Sequence, residues 1–252
     1  MKISKLEALA TTLLLFGCFY FPAIAQVRKT NFGLGTPRTS GIGGAVRSGS
    51  TNTCPETAIL SPLNGSRVLS DQAPVFWYLE TKTPSVEVSL ILRDQDSTNS
   101  KRLFTGTGTA TTSGLYSFVL PPKLLSPGKT QRWDLRIQTN SCTDIALANG
   151  AIRLEPNPNL AQAIAKATNA LQQARLYQKS GYWFEALAAY ETWLATNPQD
   201  QAARQERNAM IKAGFAENEQ LSGVSGAVPE FVQQLPAKVA KISANPIKLT
   251  QP

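Results

Sequence analysis

The chain reads as a multidomain α+β protein, an antiparallel β-sandwich followed by a short helical unit. Three observations predict this. Apolar and polar residues alternate between Cys54 and Glu155, Pro156-Asn157-Pro158-Asn159 interrupts that alternation, and from Leu160 onward apolar residues recur at spacings of four and three.

Ahead of both parts lies a targeting segment, residues 1–25. Lys2 and Lys5 form a basic start, an apolar run extends from Leu13 to Phe21, and Ala23-Ile24-Ala25 supplies small residues for signal peptidase. The mature chain is expected to begin at Gln26 and to be exported, periplasmic or extracellular. A competing reading takes Leu15-Phe16-Gly17-Cys18 as a lipoprotein box that would leave Cys18 acylated. Phe16 is bulky where such boxes prefer a small residue. The apolar run falls short of the ~20 residues that cross a bilayer.

Residues 26–53 hold Gly33, Gly35, Gly41, Gly43, Gly44 and Gly49 and few large apolar side chains, which predicts a disordered arm. It carries Arg28, Lys29, Arg38 and Arg47 with no acid, so much of the chain's formal charge of +8 sits there. Residues 54–155 have ten bases against nine acids, and residues 156–217 six against five. The arm therefore favours an anionic cell-wall polymer or membrane surface, and export argues against nucleic acid.

Cys54 and Cys142 remain after signal removal, and an even pair in an oxidising compartment predicts a disulfide. Closing so long a loop would contribute about 4 to 5 kcal/mol in the chain-entropy estimate. Within residues 54–155, Ala58-Ile59-Leu60, Pro74 to Leu79, Val86 to Leu92, Arg102-Leu103-Phe104, Tyr116 to Leu120, Trp133 to Ile137 and Ala151 to Leu154 read as strands. Asn64-Gly65, Ser113-Gly114 and Pro127-Gly128 read as turns. Trp77 and Trp133 are expected in the core. The run Leu124-Leu125-Ser126-Pro127-Gly128-Lys129 ahead of a Trp-bearing strand resembles the turn into a late strand of immunoglobulin- and fibronectin-like domains, with Gln131 where those domains often place a corner tyrosine.

The helical unit spans residues 156–217. Leu160, Ile164, Ala167, Leu171 and Ala174 mark a first helix, Tyr182 to Thr196 a second, and Pro198 to Ala216 a third. Residues 218–252, with Gly223, Gly226 and several prolines, are expected to be a disordered tail. Ala174, Tyr177, Gly181, Ala186, Tyr190 and Pro198 resemble the small, aromatic and turn positions of a tetratricopeptide repeat, although Gln173 and Trp193 depart from it. A lone unit cannot bury its own apolar faces, so docking on the β domain, a capping helix or a partner is expected. Tyr182, Trp183, Phe184 and Trp193 crowd one helix more densely than a single stripe buries. They either form the interface with the sandwich or leave Tyr182, Trp183 or Trp193 exposed as partner-binding anchors.

Catalytic chemistry finds little support. The chain has no histidine, which removes Ser-His-Asp and Cys-His catalysis and most zinc sites. Asp94-Gln95-Asp96 lacks the rest of a calcium loop, and the spacing of Glu80 and Glu87 does not establish a glycosidase pair. No cofactor, metal or catalytic residue is expected.

The glycine- and arginine-bearing arm, Ala73-Pro74-Val75-Phe76-Trp77-Tyr78, Gly128-Lys129-Thr130-Gln131-Arg132-Trp133 and Tyr177 to Leu187 together resemble a family of exported cyanobacterial proteins, domain-of-unknown-function family 928. The resemblance runs from about Gly33 to Pro198 and implies an envelope or secreted setting without an established activity. The expected function is a non-enzymatic protein-interaction or scaffolding module whose partner is another envelope or secreted protein. A carbohydrate- or cell-wall-binding protein is the alternative, and an envelope hydrolase the third.

Overall fold

The computed structural model describes residues 32–34, 55–62, 65–94, 100–139, 146–221 and 230–251. The signal segment, Cys18, Cys54 and Cys142 lie outside the described residues, as does most of the basic arm. The fold is α+β. One sheet has four strands in the order β1 (Glu56–Ile59), β3 (Pro74–Glu80), β6 (Gly114–Val119), β9 (Asn245–Pro246). The other has five, in the order β2 (Ser66–Val68), β8 (Ala146–Leu154), β7 (Thr130–Gln138), β4 (Val86–Asp94), β5 (Arg102–Ala110). β2 has no counterpart among the expected strands, because three residues are too few to show a period.

Period-two alternation puts Val86, Val88, Leu90 and Leu92 of β4 and Trp133, Leu135 and Ile137 of β7 into the core. The two sheets meet there. Phe118 of β6 approaches Trp133 of β7 edge-on at 5.9 Å between ring centroids, and Trp77 of β3 stacks on Tyr116 at 4.8 Å. Gly150 of β8 admits the Trp133 ring, since a Cβ there would stand 2.9 Å from the indole nitrogen. Gln131 is buried, donates from Nε2 to the Leu124 carbonyl at 2.9 Å and accepts from the Ser126 amide at 3.4 Å. It thus ties strand to preceding loop, as a corner tyrosine does.

The helices are α1 (Pro158–Lys166), α2 (Ala170–Ser180), α3 (Trp183–Thr196), α4 (Gln201–Leu221) and α5 (Glu230–Val239). The expected first helix is thus two. The Asn169 side chain accepts from the Gln172 amide and caps α2, so the backbone breaks at Ala167 despite continuous apolar spacing. Gly181 ends α2 in the left-handed region, at φ 78°. The third helix begins at Gln201 because Asp200 accepts from the Ala203 amide. That bond, followed by the Trp193 indole, holds the Asp200 carboxyl below its ordinary value.

α3 packs against β2 and β3, which explains why β3 is apolar on both faces, with Phe76 and Tyr78 buried alongside Val75, Trp77 and Leu79. Glu185, in the first turn of α3, is buried at this junction and accepts from the Leu69 amide. Burial raises its carboxyl to about 7, while the amides of Leu69, Glu185 and Ser70 pull the other way. The folded state therefore binds this proton more tightly than the unfolded chain, whose carboxyl titrates near 4.5. The associated stability is full below pH 4.5 and is lost as pH rises through about 7, a change of about 3 kcal/mol. Glu185→Gln is expected to flatten stability over that window, measured as urea midpoints from pH 4 to 8. The same slope in variant and wild type would refute this assignment.

Two segments expected to be disordered are ordered where described. Phe32 of the arm is buried edge-on against Trp183 at 5.1 Å, and Gly33 bridges to Ser66. A single aromatic with a deep socket outweighs the polar composition around it. The C-terminal segment folds as α5 and β9, then pairs Thr250 with Thr107. Its anchor is Arg207 of α4, fully buried, which donates to the carbonyls of Val239 and Ile242 at 3.0 Å each. β9 adds to the β6 edge and Thr250 to the β5 edge, so this strap covers an edge of each sheet. Gly106 and Gly108 of β5 leave the space that Leu249 and Ile247 fill.

Candidate ligand-binding face

The three aromatics singled out as partner anchors are occupied inside the protein. The Tyr182 hydroxyl donates to the Glu155 carbonyl at 2.9 Å, and the Trp183 indole to the Leu60 carbonyl at 2.9 Å, both side chains being buried. Neither offers a surface to a partner, because the helical unit uses them to dock on the β domain. Trp193 is half-buried, and its indole donates to Asp200 Oδ2 at 2.8 Å, joining the end of α3 to the start of α4. Among the described residues, the large apolar side chain that stands exposed is Val119.

Nor does the structure unite the candidate carboxylates. Glu80 ends β3 in the four-stranded sheet and pairs with Lys238, whereas Glu87 lies on β4 in the five-stranded sheet. Asp94 is at the end of β4, and Gln95 and Asp96 fall outside the described residues. No group of three acidic or thiol ligands close enough for a metal occurs among the described residues.

The chemistry that is concentrated lies on the outer face of the five-stranded sheet. There the residues between the core positions are Arg132, Asp134, Arg136 and Gln138 of β7, Glu87, Ser89 and Arg93 of β4, and Thr105, Thr107 and Thr109 of β5. Register sets Arg132 beside Arg93, and Arg93 beside Arg102. The second pairing depends on an irregularity between Leu92 and Arg93 that skips Leu103 and brings the exposed Arg102 into line. Asp134, 3% exposed, pairs with Arg93 at 3.2 Å and with Arg132 at 3.1 Å. The side chains of Arg102 and Arg136 make no hydrogen bond or ion pair with another described residue. One carboxylate thus stands among four guanidinium groups.

Toward the other end of the same strands the face becomes a cleft of about 600 Å³, lined by hydroxyls, an amide and one carboxylate: Ser85, Glu87, Thr107, Thr109, Gln138 and Thr250. Thr250 belongs to the C-terminal strap, held by reciprocal backbone bonds with Thr107 at 2.8 and 2.9 Å. Such a lining offers donors and acceptors for sugar hydroxyls without an apolar floor.

These arginines are missed when charge is summed by segment, since ten bases and nine acids nearly cancel over residues 54–155. Summing by sheet face exposes them, because Arg132 and Arg136 share their parity on one strand. No curated protein matches the sequence. A family model described as a Domain of Unknown Function (DUF928) matches residues 42–222, spanning the strands from β1 to β8 and the helices from α1 to α4, and the chain belongs to that family.

Proposed function

We propose that this protein is an exported, non-enzymatic binding module that presents the outer face of its five-stranded sheet to ligand. The observation that carries this reading is the line of Arg132, Arg93 and Arg102 leading past Arg136 to the polar cleft at Glu87 and Gln138. The signal-like segment at residues 1–25 and the Cys54 and Cys142 pair support export. Burial of Tyr182 and Trp183 shifts weight from a protein-interaction module toward the polymer-binding alternative. Protein hot spots combine arginine with accessible aromatic anchors, whereas this face carries the arginines without the aromatics.

The finer fold assignment belongs to the same proposal. The β1-β3-β6 and β2-β8-β7-β4-β5 orders, with β2 parallel to β8, support an immunoglobulin- or fibronectin-like sandwich. The close packing of α2 on α3 through Ala174 and Ala186, with Gly181 at the turn, supports a tetratricopeptide-like hairpin.

A photo-crosslinking side chain placed at Gln138, and separately at Lys179 on α2, tests the reading in envelope preparations. Adducts are expected from position 138 and not from 179. Adducts from 179 alone would move the binding surface to the helical unit and overturn the proposal.

A further inference from the structure

We propose that the ligand of this face is an acidic polysaccharide, whose carboxylate or sulfate groups sit on the row Arg132, Arg93 and Arg102 while neighbouring sugar units occupy the hydroxyl-lined cleft; this rests on the binding-module reading above. Like charges opposite one another on adjacent strands are unfavourable. Here three guanidinium groups are aligned across three strands, and the register irregularity at Leu92/Arg93 increases their alignment. Asp134 offsets part of the repulsion and orients both side chains, accepting from Arg93 Nε at 3.2 Å and from Arg132 Nη2 at 3.3 Å. The guanidinium groups of Arg102 and Arg136 have no intramolecular acceptor among the described residues. A planar guanidinium without a partner is suited to a carboxylate or sulfate, which accepts two parallel N–H bonds.

The direction of the face specifies the rest of the ligand. In β7 and β4 the residues run from Arg132 and Arg93, through Asp134 and Ile91, to Arg136 and Ser89, and then to Gln138 and Glu87. An occupant therefore meets cations at one end and hydroxyl, amide and carboxylate groups at the other. Glu87 repels a second anionic group and accepts hydrogen bonds from hydroxyls, so the ligand needs uncharged hydroxyl-bearing units beside its acidic ones. That disfavours a uniform phosphate backbone. Single-stranded nucleic acid would also call for aromatic stacking surfaces, and a bilayer for exposed apolar anchors. Val119, the exposed large apolar side chain among the described residues, lies on β6 in the other sheet.

Affinity electrophoresis of the full mature chain through gels containing polygalacturonate, neutral dextran or a single-stranded oligonucleotide of matched charge tests the proposal. Polygalacturonate is expected to retard the wild type, dextran to leave it unretarded, and the oligonucleotide to bind at least tenfold more weakly than polygalacturonate. R102Q/R136Q removes two cations without breaking an intramolecular pair, and is expected to weaken polygalacturonate binding about tenfold. R93Q/R132Q, checked for folding by circular dichroism, is expected to do the same. Unchanged retardation of R102Q/R136Q, or equal binding of the oligonucleotide, overturns the polysaccharide assignment. If polygalacturonate fails while the position-138 probe still gives adducts, this inference falls and the binding-module reading stands; if both fail, both fall.

Discussion

Trp183→Ala is expected to lower stability by about 3 to 5 kcal/mol and to loosen the helical unit from the β domain. The side chain is fully buried where three segments converge: Phe32 of the arm meets the ring edge-on, the Leu60 carbonyl accepts from its indole nitrogen, and Gly214 of α4 packs against its six-membered ring. A Cβ at Gly214 would overlap that ring, so helix and indole are fitted as closely as the backbone permits. Alanine leaves a cavity at the meeting point and deprives a buried carbonyl of its donor, and the two penalties act together. Trp183→Phe retains much of the packing and loses the bond, so its cost should be about 1 to 3 kcal/mol. Urea unfolding followed by far-ultraviolet circular dichroism measures both, and limited proteolysis shows whether the helices detach first. A Trp183→Ala midpoint close to wild type would sink the view of this residue as the junction.

The strands that sequence patterning locates are those with one face in the core and the other polar. β4 and β7 alternate over most of their length because helices pack elsewhere, on β2 and β3; on the outer side Ile91 and Asp134 break the alternation, each 3% exposed. β3 shows no alternation for the complementary reason, burial on both faces. What escapes local reading depends on long-range partners. Asn169 ends one helix and begins another through a single cap, a choice that apolar spacing at Leu160, Ile164, Ala167 and Leu171 does not register. In the strap from Glu230 onward, Ile247 and Leu249 gain their partial burial from space left by Gly106 and Gly108, far away in sequence. Those two glycines, alternate residues on the inward side of β5, were the available sign that another segment fills the gap.

The candidate site was less legible than the fold. Aromatic crowding near Tyr182 draws attention to the helical unit, yet docking on the β domain consumes those aromatics. The proposed binding face instead rests on residues with unremarkable local context, and only strand register brings Arg93, Arg102 and Arg132 together. An alternation such as Arg132-Trp133-Asp134-Leu135-Arg136 shows which residues share a face, but neither the neighbouring strand nor its offset. That offset decides whether Arg93 meets Arg102 or Leu103.

Arg207→Met is expected to free the C-terminal strap, at a cost of about 3 to 5 kcal/mol if strap and core unfold together. Arg207 donates from Nε to Glu191 Oε1 at 2.6 Å and from its terminal nitrogens to the carbonyls of Val239 and Ile242, where α5 ends and its dipole is negative. Glu191 in turn accepts from the Ala244 amide at 2.9 Å, so one ion pair holds both the end of the helix and the chain that follows. Methionine occupies similar volume but leaves the partly buried Glu191 without its cation and the carbonyls without donors. Hydrogen exchange should therefore quicken at the amides of Ala244, Ile247 and Thr250, which bond to Glu191, Ser117 and Thr107. Glu191→Gln keeps a neutral acceptor for Arg207 and should give a smaller loss. Since Thr250 lines the polar cleft, releasing the strap also removes one of its sides and uncovers an edge of each sheet. Increased self-association of Arg207→Met at high protein concentration, measured by sedimentation, follows from that exposure. Unchanged exchange at residues 244–250 would show that the paired edges hold the strap without the arginine.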